Sequence, residues 1–149
     1  MGQIGDQVDL ESSVGYLLKE AASALRQSME TELRPLGLNI SQYACLELLA
    51  QRPGLSSSEL ARGVFITRQS MSTLLQLLER DGLVSRADIA PAGRVLPVEL
   101  TPKGRQLLAF ASSRVRGVEE AMLAGLADED RAHLRELLSS CVRSLRALG

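Results

Sequence analysis

Apolar residues recur at helical spacing through nearly the whole chain, and that period fails once, between Leu83 and Leu100. Before the break, Val14, Leu17, Leu18, Ala21, Leu25, Met29 and Leu33 step by three and four, as one face of a helix requires. Tyr43, Leu46, Leu49 and Ala50 supply a shorter stripe on the helix that follows Asn39, and Met71, Leu74, Leu75 and Leu78 step as the first helix does. After it, Leu107, Leu108, Ala111, Val115, Val118, Met122 and Leu123 resume the period, and Leu134, Leu137, Leu138, Cys141, Val142 and Leu145 end it. Within the break, Leu83–Asp88 and Val95–Leu100 are short β-capable runs flanking the turn Ile89-Ala90-Pro91-Ala92-Gly93. Pro97 has no N–H to give a ladder, which puts its strand at an edge there. The chain reads as mainly α with one small β-hairpin.

Local punctuation fixes the element boundaries. Pro35 and Gly37 close the first helix. Asn39 with Gln42, and Ser56 with Glu59, have the spacing of capping boxes; Pro53-Gly54 separates the helices they open. Thr67 caps a helix reaching Arg80, and Asp81-Gly82 stops it with a left-handed glycine. Thr101-Pro102 opens the long helix, in which Gly104 and Gly117 each cost roughly 1 kcal/mol relative to Ala. Gly125 and Asp128 mark a break before a last helix from about Glu129. Residues 1–11 read as a flexible tail, 12–38 and 102–149 as helical flanks, and 39–101 as a compact central unit.

The 149 residues suit one domain with helical arms. No apolar run approaches the ~18 residues of a membrane span, and no signal peptide is visible, so a cytoplasmic protein is expected. Two cysteines and one histidine offer neither a disulfide framework nor a metal cluster. No metal, cofactor or catalytic site is expected. Ser56-Ser57-Ser58 has no base near it in sequence, and capping accounts for it. His133, between Ala132 and Leu134, reads as a surface residue. Cys45 and Cys141 read as small hydrophobes. Aromatics make up 3% of the chain, too few for stacking on single-stranded nucleic acid. Fifteen of the 17 basic residues are Arg, a bias that a GC-rich genome also produces.

The short helix from Ser57 and the helix from Arg68, joined by Phe65-Ile66-Thr67, form a helix-turn-helix candidate. If the second helix buries Met71, Leu74, Leu75 and Leu78, its outward face carries Arg68, Gln69, Ser72, Thr73 and Gln76. No acid interrupts that face before Glu79. Arg suits guanine, Gln adenine, and Ser and Thr either, in the major groove. Thr67 and Ser70 occupy the first turn, where free N–H groups can meet a phosphate. A hairpin beside such a pair is a wing, able to place Arg94 in a minor groove. Arg86 on its first strand is either a second contact or a tie between wing and domain.

The segments Leu38-Asn39-Ile40-Ser41-Gln42, Leu77-Leu78-Glu79-Arg80-Asp81-Gly82-Leu83-Val84-Ser85-Arg86 and Leu100-Thr101-Pro102-Lys103-Gly104 resemble the MarR family of bacterial transcription regulators. The resemblance implies a winged helix-turn-helix flanked by N- and C-terminal dimerisation helices. It implies a homodimeric repressor that reads a pseudo-palindromic double-stranded operator and is released by a small-molecule effector. Tyr16 and Tyr43 are then candidates to line an effector pocket, with core packing as the alternative. Redox-sensing members carry their cysteine in the first helix, where this chain has none. One departure stands out: Ala92 replaces the family's wing Asp that braces Arg94, leaving Asp88 as an alternative brace. The rival reading is a dimeric helical scaffold or adaptor whose winged unit binds a protein.

The net charge of −1 counts against a nucleic-acid partner only as an average. Residues 52–105 hold eight basic and five acidic side chains, net +3, whereas residues 1–51 hold three and seven, net −4. The positive excess falls on the winged unit.

Overall fold

The structure, a computed structural model, describes residues 7–86 and 97–149. Its elements run α1 (Val14–Leu33), a 3-10 turn (Arg34–Leu36), α2 (Ile40–Gln51), α3 (Ser57–Val64), α4 (Arg68–Arg80), β1 (Val84–Arg86), β2 (Val98–Leu100), α5 (Pro102–Leu123) and α6 (Asp128–Arg146). The described residues are thus mainly α with one antiparallel strand pair, in the register Val84↔Leu100, Ser85↔Glu99, Arg86↔Val98. The predicted turn Ile89–Gly93, with Asp88, Ala92 and Arg94, lies outside the described residues.

Capping chemistry sets the helix starts. Asn39 Oδ1 accepts from Gln42 N at 2.8 Å, and Gln42 Oε1 accepts from Asn39 N at 2.9 Å. Ser56 and Glu59 make the same exchange at 3.1 Å each way. The backbone N–H of Ser56 holds the Glu59 carboxyl below its ordinary value. Ser13 and Thr101 cap α1 and α5. α6 has no side-chain cap, but Asp128, Glu129 and Asp130 sit in its first turn, against the positive end of the helix dipole.

The core centres on α2, which packs against α1, α3, α5 and β2. Surrounded this way, α2 has no single apolar stripe. Cys45, Leu46 and Leu49 are buried, Tyr43 is half-buried, and Ala50, expected on the stripe, is exposed. Met71, Leu75 and Leu78 of α4 complete the core below it, with Leu74 only half-buried at its edge. Val84, Val98 and Leu100 close it from the strand pair.

The flanks differ from this unit. α1 buries only Leu33, at its C-terminal end, and lies along α5, where Arg114 Nη1 meets Glu32 Oε2 at 3.2 Å. A groove of about 780 Å³ between them is lined by Ala21, Ala24, Leu25, Gly117, Val118 and Ala121, among others. α6 buries nothing: Leu134, Leu137, Leu138, Val142 and Leu145 are all exposed. No helix among the described residues is long and apolar enough to cross a membrane.

Candidate nucleic-acid interface

α3 and α4 meet at a tight turn made without glycine. Phe65 takes φ +65° there, Phe65 N donates to Arg62 O at 3.3 Å, and Ile66 N donates to Ala61 O at 3.0 Å. This is the Schellman closure of a helix, with Phe in the left-handed position that glycine usually fills. Ile66 turns back toward the core and Thr67 caps the next helix.

Thr67 Oγ1 accepts from Ser70 N at 3.0 Å and donates to Ser70 Oγ at 2.9 Å, so these two side chains satisfy each other at the helix start. Arg68, Gln69, Ser72, Thr73 and Gln76 are all exposed, while Met71, Leu75 and Leu78 face the core. Thr73 Oγ1 donates to Gln69 O at 3.2 Å, which leaves its lone pairs outward. Among the described residues the side chains of Arg68, Gln69, Ser72 and Gln76 make no hydrogen bond or ion pair. A helix of 13 residues, about 20 Å long, thus carries an outward row of unengaged donors and acceptors.

The base of the hairpin is tied to both neighbouring helices. Gly82, at φ +75°, closes α4: its N–H donates to Glu79 O at 3.0 Å and Leu83 N donates to Leu78 O at 2.9 Å. Thr101 Oγ1 donates to Gly82 O at 2.6 Å, and Lys103 Nζ donates to Asp81 O at 2.9 Å. A Cβ on Gly104 would overlap the Leu83 carbonyl. The motifs around Gly82 and Gly104 therefore form one junction, in which α5 starts against the end of α4. Arg86 Nε lies 3.6 Å from Glu79 Oε2, which ties the first strand to α4. Lys103 and Gly104 were not singled out as site residues from sequence; their role depends on partners some twenty residues away.

Tyr16 and Tyr43 are not brought together. Tyr16 lies in the first turn of α1, half exposed, about 25 Å of helix from Leu33 where α1 enters the core. Tyr43 faces α5, and its Oη donates to Glu47 Oε2 at 2.9 Å. Burial raises the Tyr43 pKa, and the Glu47 carboxylate adds to the rise. Burial would also raise that of Glu47, but hydrogen bonds from Ser112, Gln51 and Tyr43 outweigh it and hold the carboxyl below its ordinary value. Neither tyrosine lines the α1–α5 groove. Cys45 is fully buried, with its Sγ 4.0 Å from Met71 Sδ; burial pushes its thiol up to about 12, which makes it inert as a nucleophile. His133 and Cys141 are exposed on α6.

Residues 36–94 match the model of the MarR family. The transcriptional repressor Rv2887 of Mycobacterium tuberculosis is 39% identical over 128 residues, which cover 86% of this chain and 92% of its own. The crystal structure of Rv2887 in complex with DNA matches with a TM-score of 0.73 at 37% identity, over 87% of this chain and 98% of that one. Its complex with salicylic acid matches with a TM-score of 0.73 at 38% identity, over 91% and 98%. The repressor CouR of Rhodococcus jostii, bound to a 23-mer DNA duplex, matches with a TM-score of 0.80 at 27% identity, over 92% and 99%.

Proposed function

The chain belongs to the MarR family, and from that membership we propose that it is a homodimeric transcriptional repressor that binds a specific DNA operator and is released by a small-molecule effector. The observation that carries the reading is the row Arg68, Gln69, Ser72, Thr73 and Gln76, exposed on a capped helix beside a wing base and, apart from the Thr73 bond to the Gln69 carbonyl, unengaged among the described residues. A relative solved on DNA, matched over 98% of its own chain, supports it. α4 would enter the major groove, with Thr67 and Ser70 at the phosphate edge of its first turn. Arg94 would reach the minor groove from the wing. Arg86 serves the wing differently: its contact with Glu79 favours a structural tie, with DNA contact as a second role.

Residues 12–38 and 102–149 would form the dimer and 39–101 the reading head. The exposed apolar faces of α1 and α6 support this division, since a second copy would cover them. A cytoplasmic location follows for a protein that acts on chromosomal DNA. The action is binding and release, with no catalytic step. The complex of Rv2887 with salicylic acid supports release by a small molecule. Tyr43 remains a candidate for that site by its half-buried place between α2 and α5, and Tyr16 by its exposure on α1.

The test is binding of the full-length protein to the DNA upstream of its own reading frame, at two salt concentrations. A protected site whose affinity falls with salt is expected. Arg68→Ala and Gln69→Ala should each cost about 1–3 kcal/mol on that site and relax base preference at one position. Arg94→Ala should weaken binding more evenly. No protected site, or equal binding by the triple variant, would sink the reading in favour of a protein-binding scaffold.

A further inference from the structure

The winged unit is fastened to α5 at two levels. The lower is the wing base, where Thr101 and Lys103 bond the carbonyls of Gly82 and Asp81. The upper is a carboxylate. Glu47 of α2 accepts from Ser112 Oγ of α5 at 2.6 Å, from Gln51 Nε2 at 2.6 Å and from Tyr43 Oη at 2.9 Å. Arg116, one turn beyond Ser112 on α5, adds a favourable charge to the same carboxylate. Among the described residues, Ser112 is the one α5 side chain that hydrogen-bonds to α2, to Glu47 and beside it to Tyr43. Nothing in the family motifs calls for it.

We propose that Glu47 is a positioning residue for DNA reading: through Ser112 it fixes the angle of the winged unit on α5, and so the separation of the two recognition helices in a dimer. The inference rests on the dimeric repressor reading above. Its mechanics are those of a lever. α2 packs on α3 and α3 on α4, so the pose of α4 follows that of α2. A body held only at the wing base can swing about it. Ser112 lies ten residues along α5 from Pro102, about 15 Å, and a bond there stops the swing. The apolar contacts of Leu108 and Ala111 hold the two helices together, but apolar attraction is non-directional and does not by itself set an angle. A short bond to a charged acceptor is directional and does not. A swing of about 10° across the ~20 Å of α4 moves its far end by about 3.5 Å, one base-pair step.

The test begins with the full-length wild type, which selects an operator from a random-sequence duplex library. Three versions of that operator follow, with the native spacing between half-sites and with one base pair removed or added. Ser112→Ala should lose about tenfold of the discrimination between native and altered spacing, the scale of one hydrogen bond to a charged acceptor. Its binding to non-specific DNA should stay near that of the wild type, and its melting temperature should fall by no more than several degrees, leaving it folded at the temperature of the assay. Ser112→Thr, which keeps the hydroxyl, should restore the discrimination. Gln51→Ala, which removes a donor that does not cross to α5, should leave it intact. The proposal is overturned if Ser112→Ala discriminates as the wild type does, or if Gln51→Ala loses as much. If the wild type selects no palindrome at all, the dimeric repressor reading itself falls, a result distinct from either.

Discussion

Two positions show how single residues carry the junctions of this fold. Gly104 stands inside α5, where Ala would gain about 1 kcal/mol of helix propensity. The helix nonetheless needs glycine, because a Cβ there would overlap the Leu83 carbonyl, a backbone atom with no rotamer to yield. Gly104→Ala should therefore lower stability by about 1–3 kcal/mol, as overpacking does. A fall in the urea midpoint checks this, and a rise would mean α5 does not approach Leu83 so closely. Phe65 presents the reverse case. Its left-handed backbone strains an L residue, while the residue is 82% exposed and contributes little burial. Phe65→Gly should raise stability by about 0.5–1 kcal/mol, relief of strain less the added freedom of the unfolded chain. A lower midpoint instead would mean that the ring is covered in the assembled molecule.

At the scale of elements, what the sequence made legible was what closes within three or four residues. The boxes at Asn39–Gln42 and Ser56–Glu59, the Thr67 and Thr101 caps and the Gly82 stop are each complete in a short window. The outward row of α4 followed from its period of 3.6. The fit of Gly104 to Leu83 and the Glu47–Ser112 bond lay beyond such a window, the latter pair being 65 residues apart. The stripe expected on α2 failed for a related reason: a helix packed on several sides has no polar face to set a period against. Glu47 makes a pH prediction at this scale. Its carboxyl is held below the unfolded value near 4.5. The stability it adds is thus complete above that value and is lost as pH falls through the lower, folded one. In melting curves from pH 7 to pH 3, the gap between wild type and Glu47→Gln should narrow below about pH 4.5. A gap constant with pH would mean that the bonds do not depend on the charge. The half-exposed site keeps the effect small.

For the whole molecule, the decisive fact is that a single copy leaves α6 with no packed face. α6 is 19 residues long with none buried, and its side-chain hydrogen bonds to its own chain, among the described residues, lie at its start, where Arg131 bonds Glu120 and the Leu126 carbonyl. Most of a helix's stability in a protein comes from packing its amphipathic face rather than from propensity. Leu134, Leu138 and Leu145 lie along one such face, and in the proposed dimer a second copy would supply the partner. The same requirement explains how a net charge of −1 serves a DNA-binding protein. With only +3 on residues 52–105, one winged unit has little bulk attraction for DNA, and two linked units multiply their separate affinities. Leu134→Glu combined with Leu138→Glu should give a monomer in light scattering after gel filtration. Its affinity for a two-half-site operator should fall by about 10²–10⁴-fold, the gain that linkage had supplied. The winged unit, whose core does not include α6, should keep its weak binding to a single half-site. A double variant that stays dimeric would place the interface elsewhere, and one that loses half-site binding as well would show that the reading head depends on α6 for its fold.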